Sequence, residues 1–370
     1  MRYVFLITTV AASLFLSGCG STNKSDEPEA IKAYCIDYNW GPGGPNGFAA
    51  PGLWADADPA EHVKWYADLG CNVIQSFAVS CNGYAWYKNG IVPEQPGLKH
   101  DFLSEQVKLA HEKNIKVFAY FCAGSNTRWG MENPDYSYGI PALPHIPYTR
   151  KYLDFLCESI RDAIIKTGID GVFIDWLWNP GAVMEPYPPL KWIPCEQEMY
   201  QELMGEPFPG IDNVTPEREL EFRRKAIDRA WKRIRETVKN TDPGCIIWLT
   251  CAQLTSRDIA GSDMLKEVDW VLNEAGDTAT TASSRSMLGP ETRMVTCLAN
   301  WNGQDAAIVI PDAIKKSIGL YGFTKPVNGS AMPPVDHYLS VHPDTLEGDA
   351  RNIALLARSY NNLPFDYVKK

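Results

Sequence analysis

Several common chemistries are missing from this chain of 370 residues. It has no CxxC pair and no Cys/His cluster at zinc spacing, so no structural metal is expected. None of its six histidines forms an HxH pair after an apolar run. His337 and His342 fit loop hydrogen-bonding better than metal ligation. No nucleophile elbow with a following acid and His is present, which discourages an esterase reading. No G-x-G-x-x-G turn follows the first apolar run, so a dinucleotide-binding doubly wound sheet is only the runner-up fold. No Lys closes an expected strand, which counts against Schiff-base chemistry. Positive charge is scarce as well. The net charge of −10 disfavours nucleic acid and anionic membrane surfaces as partners. Beyond residue 19 no stretch is apolar enough to span a bilayer.

The start of the chain reads as export machinery. Arg2 precedes an apolar run, Val4 to Leu16, that is too short for a permanent membrane helix. Leu16-Ser17-Gly18-Cys19 resembles a bacterial lipobox, which implies cleavage before Cys19 and lipidation of its thiol. Residues 20–30 are polar, acidic and aperiodic, as expected of a tether. The SDEPE run resembles the acidic signal that directs some Gram-negative lipoproteins outward, so an outer-membrane location is expected, on either face. The lipid would then be the chain's sole contact with the membrane. Ten cysteines minus the lipidated one leave an odd number, so at least one is unpaired. Cys35, Cys71, Cys122, Cys245, Cys251 and Cys297 fall in or beside apolar runs, where Cys usually acts as a small buried hydrophobe.

Residues 31–370 alternate between apolar runs and amphipathic stretches. Strands are expected at Ile31–Asp37, Cys71–Phe77, Ile115–Phe121, Val172–Ile174 leading to Asp175, Cys245–Thr250, Val268–Asn273, Arg293–Ala299 and Ser317–Tyr321. Helical periodicity marks Pro59–Leu69, Leu103–Lys113, Tyr148–Lys166, Pro216–Val238, Asp305–Lys316 and Gly348–Tyr360. Eight strand–helix units in one α/β domain of this size are the count of a (β/α)8 TIM barrel. The long connections, residues 38–58, 78–100, 122–147, 176–215 and 322–347, all follow strands, and that is the catalytic end of such a barrel.

Those connections supply acids, amides and aromatics. Asp175 closes a buried apolar run, where a carboxylate needs a partner or a purpose; the plainer reading is a loop cap. Asp170, before the same run, falls at the opposite mouth and reads as structural. Two carboxylates on different strands, ringed by Trp, Tyr and Asn, suit glycoside hydrolysis. The second carboxylate is expected to be Glu274, with Asp277 next; Glu274 could equally begin a helix. Glu132 and Glu185 are further acids on loops. Asp37 and Asn300 are placed to bond sugar hydroxyls. Trp40, Trp86, Trp129, Trp176, Trp178 and Trp301 are expected to form stacking walls, and Tyr84, Asn126 and His337 complete the expected binding set. No cofactor is expected.

Three segments, NVIQSFAVSCNGYAWY, HDFLSEQVKLAHEKNIKVFAYFCAGSNTRW and YLDFLCESIRDAIIKTGIDGVFIDWLW, resemble glycoside hydrolases of the hypothetical glycosyl hydrolase type, related to α-L-fucosidases and α-amylase-like barrels. Cys195 with the following EQEMYQELMGEPFPG resembles a segment those families carry. The resemblance implies a (β/α)8 barrel and a nucleophile-type Asp at the end of the fourth strand, here Asp175. The fucosidase His-Trp-Gly is replaced by Asn39-Trp40-Gly41, and the paired histidines usual after strand two are missing, so fucose specificity does not carry over. The expectation is a lipoprotein acting on an oligosaccharide or polysaccharide. The competing class is a glycan-binding lipoprotein on a degenerate barrel.

Overall fold

A computed structural model describes residues 29–41, 48–138, 146–175, 177–178, 191–251 and 256–364. Eight parallel strands close into one barrel in sequential order. In chain order the strands and α-helices are β1 (Lys32–Ile36), α1 (Pro59–Leu69), β2 (Val73–Val79), α2 (Phe102–His111), β3 (Lys116–Cys122), α3 (Thr127–Glu132), α4 (Arg150–Thr167), β4 (Gly171–Asp175), α5 (Pro194–Met204), α6 (Pro216–Thr241), β5 (Ile246–Cys251), α7 (Asp263–Glu267), β6 (Trp270–Asn273), α8 (Thr278–Ser283), β7 (Arg293–Leu298), α9 (Ala306–Lys315), β8 (Gly319–Thr324), α10 (Val335–Leu339) and α11 (Gly348–Tyr360). The barrel closes where β1 pairs with β8, from Lys32 opposite Leu320 to Ile36 opposite Thr324.

Local chemistry fixes the helix ends. α1 starts where the Asp58 carboxylate accepts the Ala60 and Glu61 N–H groups, with Pro59 in the first turn. α4 starts on the Thr149 hydroxyl and ends at Gly168, whose φ of 68° closes the last turn. Its Leu153, Leu156, Ile160 and Ile164 are buried, as the periodicity requires. α6 carries charged residues from Glu217 to Lys239 yet buries Phe222, Ile227, Trp231, Ile234 and Val238.

The barrel interior is filled by rings rather than by branched aliphatics alone. Phe118 stacks on Trp270 at 4.7 Å, Phe173 meets Trp248 at 4.9 Å, and Phe77 meets Tyr120 at 5.1 Å. Such pairs favour offset or edge-on geometry and give the barrel a rigid floor. Gly171 makes room for this floor. A β-carbon there would sit 2.4 Å from Phe118 Cε1 and 2.6 Å from the Ile246 carbonyl oxygen.

The strand that ends furthest from its expected position is β8, which runs to Thr324 instead of Tyr321. Ser317 has a φ of 55° and belongs to the turn after α9, so the strand starts later and carries on into GFT. This puts Lys325 directly at a strand end, correcting the expectation that no lysine lies there. Asp170 lies at the opposite mouth as expected, bonded by His111 Nε2 at 2.9 Å and by the Val117 N–H at 2.8 Å. Cys35, Cys71, Cys122, Cys245 and Cys297 are buried free thiols. Burial pushes the Cys35, Cys71 and Cys297 thiols well above their ordinary range, as expected of inert core cysteines. The side chain of Cys251 lies outside the described residues.

Candidate active site

Side chains alternate across a strand, so residues two apart share a face. That rule builds the site. Gln75 and Phe77 of β2, Tyr120 of β3, Phe173 and Asp175 of β4, Thr250 of β5, Leu272 and then Glu274 after β6, and Tyr321 and Phe323 of β8 all face one cavity at the carboxyl end of the barrel. Asp37, Asn39 and Trp40 join them after β1, and Asn300 and Trp301 after β7. The cavity holds about 970 Å³, which is room for several sugar-sized groups.

Asp175 and Glu274 therefore share a cavity, as expected. Asp175 is half-buried, and the Tyr120 hydroxyl donates to its Oδ2 at 2.7 Å. Burial first, and then the neighbouring Asp175 carboxylate, push the Tyr120 hydroxyl well above its ordinary range, so it stays a donor. Tyr120 also lies 3.3 Å from Cys81 Sγ. Glu274 accepts from the Thr250 hydroxyl at 2.7 Å. Burial raises the Glu274 carboxyl above its ordinary value, and the Thr250 hydroxyl opposes that rise. Asp37 is 8% exposed and pushed up to about 7 by burial, with the Glu274 carboxylate adding to the rise. The Asn39 N–H, 2.7 Å from Asp37 Oδ1, pulls the other way. The Glu274 carboxylate thus favours a protonated Asp37.

Two further acids were not anticipated. Asp349, in the first turn of α11, accepts the Thr324 hydroxyl at 3.1 Å, and burial raises its carboxyl. Lys325 opposes that rise and lines the same cavity. Asp258 is held by Arg223 at 2.7 Å. Asp349 sits at a helix start rather than a strand end, and Asp258 in the loop after β5, so strand-end reasoning passes over both. Gln75, Phe77, Tyr120, Phe173, Tyr321 and Phe323 were legible in principle from the alternation along each strand.

Other expected binding residues lie elsewhere. Trp86 is 1% exposed, stacks on Tyr38 at 4.2 Å and donates to Ser80 Oγ; it belongs to the core and not to a stacking wall. Trp129 is likewise buried, against Tyr152 at 4.8 Å. Asn126 caps α3 by accepting the Trp129 N–H at 2.8 Å. Tyr84 lies beneath the Arg128 guanidinium. Asp277 caps α8 through the Thr280 N–H, the capping reading first weighed for Glu274. Glu132 pairs with Arg128 at its own helix. His337 is exposed on α10 against Tyr338. None of these seven lines the cavity. Trp40, Trp178, Asn300 and Trp301 do line it. Trp176, Glu185 and Cys19 lie outside the described residues.

Residues 58–176, less than half of the chain, match the family model described as hypothetical glycosyl hydrolase 6. The matched segment carries β2, β3 and β4 and ends one residue past Asp175. No curated protein sequence matches the chain. Among solved structures, α-L-fucosidase isoenzyme 2 from Paenibacillus thiaminolyticus superposes with a TM-score of 0.62 at 16% identity, over 90% of this chain and 49% of that one. This chain therefore spans about half of that fucosidase's length. The PgaB (BpsB) glycoside hydrolase domain from Bordetella bronchiseptica superposes with a TM-score of 0.54 at 15% identity, over 80% of this chain and 93% of that domain. At such identities the structural likeness is one of fold, and that fold is the (β/α)8 barrel. The family-model match supports a glycosidase.

Proposed function

We propose that this chain cleaves glycosidic bonds in a complex glycan through a pair of carboxyl groups, Asp175 and Glu274. One observation carries the reading. Carboxyl groups from the ends of β4 and β6 face a single ring-floored cavity in contrasting surroundings. Asp175 receives a phenol hydrogen bond that orients it toward the mouth, whereas burial lifts Glu274 toward its protonated form. Glycoside hydrolysis needs that contrast: one carboxylate to stabilise or attack the oxocarbenium-like centre, and one acid to protonate the leaving oxygen.

In this reading Glu274 gives its proton to the glycosidic oxygen as the bond to the anomeric carbon breaks. Asp175 compensates the positive charge or bonds to that carbon, and water completes hydrolysis and returns the proton. Burial favours the protonated form of Glu274 before each turnover. Trp301, 57% exposed at the rim, and Trp40 offer apolar faces to sugar rings, and Asn300 offers an amide. The Cys19 lipid anchor would hold the enzyme at the outer membrane, with residues 20–30 as the tether.

A panel of oligosaccharides and polysaccharides, assayed for new reducing ends, tests this. The expected outcome is turnover of at least one glycan by the native chain, with Asp175→Asn losing turnover while still binding that glycan. Binding without cleavage by the native chain across the panel would replace the enzyme with a glycan-binding lipoprotein.

A further inference from the structure

Glu196 is the one carboxyl group in the described structure with no solvent exposure at all, and the proposed mechanism does not use it. It sits in the first turn of α5, within the insertion after β4. Both of its oxygens accept. The Ile193 N–H lies 2.7 Å from Oε2 and the Tyr138 hydroxyl 2.7 Å from Oε1. No ion pair reaches it among the described residues. Tyr138 belongs to the loop after β3, and its oxygen accepts from Trp178 Nε1 at 3.3 Å. Trp178 lies three residues beyond Asp175 and forms part of the cavity wall. Its main-chain N–H also meets the Tyr148 hydroxyl at 3.1 Å, and its ring packs edge-on against Phe222 at 5.8 Å.

We infer that Glu196 is a positioning residue for the candidate active site: through Tyr138 it locks the Trp178 indole, part of the cavity wall three residues beyond Asp175. The inference rests on reading this cavity as the glycan site. The chemistry is directional. An ionised carboxylate accepts at both oxygens, which lets the Tyr138 hydroxyl donate to it and keep a lone pair for the Trp178 indole. A protonated carboxyl, or an amide, carries a donor at one position: facing Ile193 it breaks the cap, and facing Tyr138 it donates to the phenol oxygen, competes there with the Trp178 indole and leaves the phenol hydrogen without its acceptor. Burial pushes Glu196 up to about 7, against the pull of Tyr138 and the Ile193 and Trp192 N–H groups. The other groups facing it are Cys195 on its own helix and Glu219 on α6, the latter paired with Lys191 at 2.9 Å.

The test follows the indole N–H resonance of Trp178 by NMR, assigned through its loss in Trp178→Phe, between about pH 5 and pH 9. This readout needs no glycan, so it is independent of whether the chain is a glycosidase. In the native chain the resonance shifts with a midpoint near 7. In Glu196→Gln and in Tyr138→Phe it stays fixed, while Glu219→Gln leaves the titration in place. Tyr138→Phe retains the cap at Ile193, so it serves if Glu196→Gln fails to fold. On a cleaved glycan, Glu196→Gln lowers kcat roughly tenfold with KM within about twofold, the pattern of a misplaced reacting group. A Trp178 resonance that titrates identically in folded Glu196→Gln, or that does not move in the native chain, overturns the assignment.

Discussion

Replacing Tyr120 with Phe tests the link between the barrel floor and Asp175. Tyr120 is fully enclosed, its ring is held 5.1 Å from Phe77 and 6.0 Å from Phe173, and only its hydroxyl reaches Asp175 Oδ2, at 2.7 Å. Tyr120→Phe leaves the ring contacts and deletes the donor. Hydrogen bonds to charged groups are worth about 1.5–3 kcal/mol. If that contribution is expressed while Asp175 faces the positive anomeric centre, kcat falls roughly tenfold to a hundredfold. The Cys81 contact at 3.3 Å is weak and adds little. The assay is initial-rate release of reducing ends on the glycan identified from the panel, alongside Tm by differential scanning. The expected outcome is a large loss of kcat with a modest change in Tm. Unchanged kcat in Tyr120→Phe, in a protein where Asp175→Asn is inactive, would refute the idea that Tyr120 orients Asp175.

Three further outcomes are expected. Asp37 is raised from 3.8 to about 7 in the folded chain, so its contribution to stability is complete below about pH 4 and is lost as pH rises through about 7. Asp37→Asn should therefore raise Tm relative to the native chain at about pH 8 and not at about pH 4; the difference in unfolding free energy is bounded at roughly 4 kcal/mol. Gly171→Ala forces a methyl group against Phe118 and the Ile246 carbonyl, and should cost about 1–3 kcal/mol in a urea unfolding midpoint experiment. Trp301→Ala, at an exposed position, should leave stability within about 0.5 kcal/mol while raising KM several-fold; an unchanged KM would remove it from the substrate platform.

The barrel was legible because its strands are short apolar runs with matching amphipathic helices. α1 falls on the expected residues at both ends because Asp58, Pro59 and Gly70 mark them chemically. β2 and β8 each extend two or three residues beyond expectation, since pairing with neighbouring strands holds residues such as Val79 and Thr324 that have no local signal. Asp175 and Glu274 could be read because acids after apolar runs are conspicuous. Trp86 and Trp129 misled because aromatic residues in loops look alike in sequence whether they face a ligand or fold inward. Tyr38 and Tyr152, their stacking partners, lie 48 and 23 positions away and give no local clue. Asp349 and Lys325 reach the cavity only through the closure of β8 and α11 against β1, which is a property of the whole barrel.

The central claim is that Asp175 and Glu274 act as a charge-compensating carboxylate and a proton donor. The most direct measurement is the leaving-group dependence of kcat/KM, comparing an activated dinitrophenyl glycoside with an unactivated alkyl glycoside of the same sugar. Glu274→Gln should retain most activity on the activated substrate, which needs no proton, and lose it on the unactivated one, whereas Asp175→Asn should lose both. Equal losses on the two substrates in Glu274→Gln, or full activity in Asp175→Asn, would contradict the account.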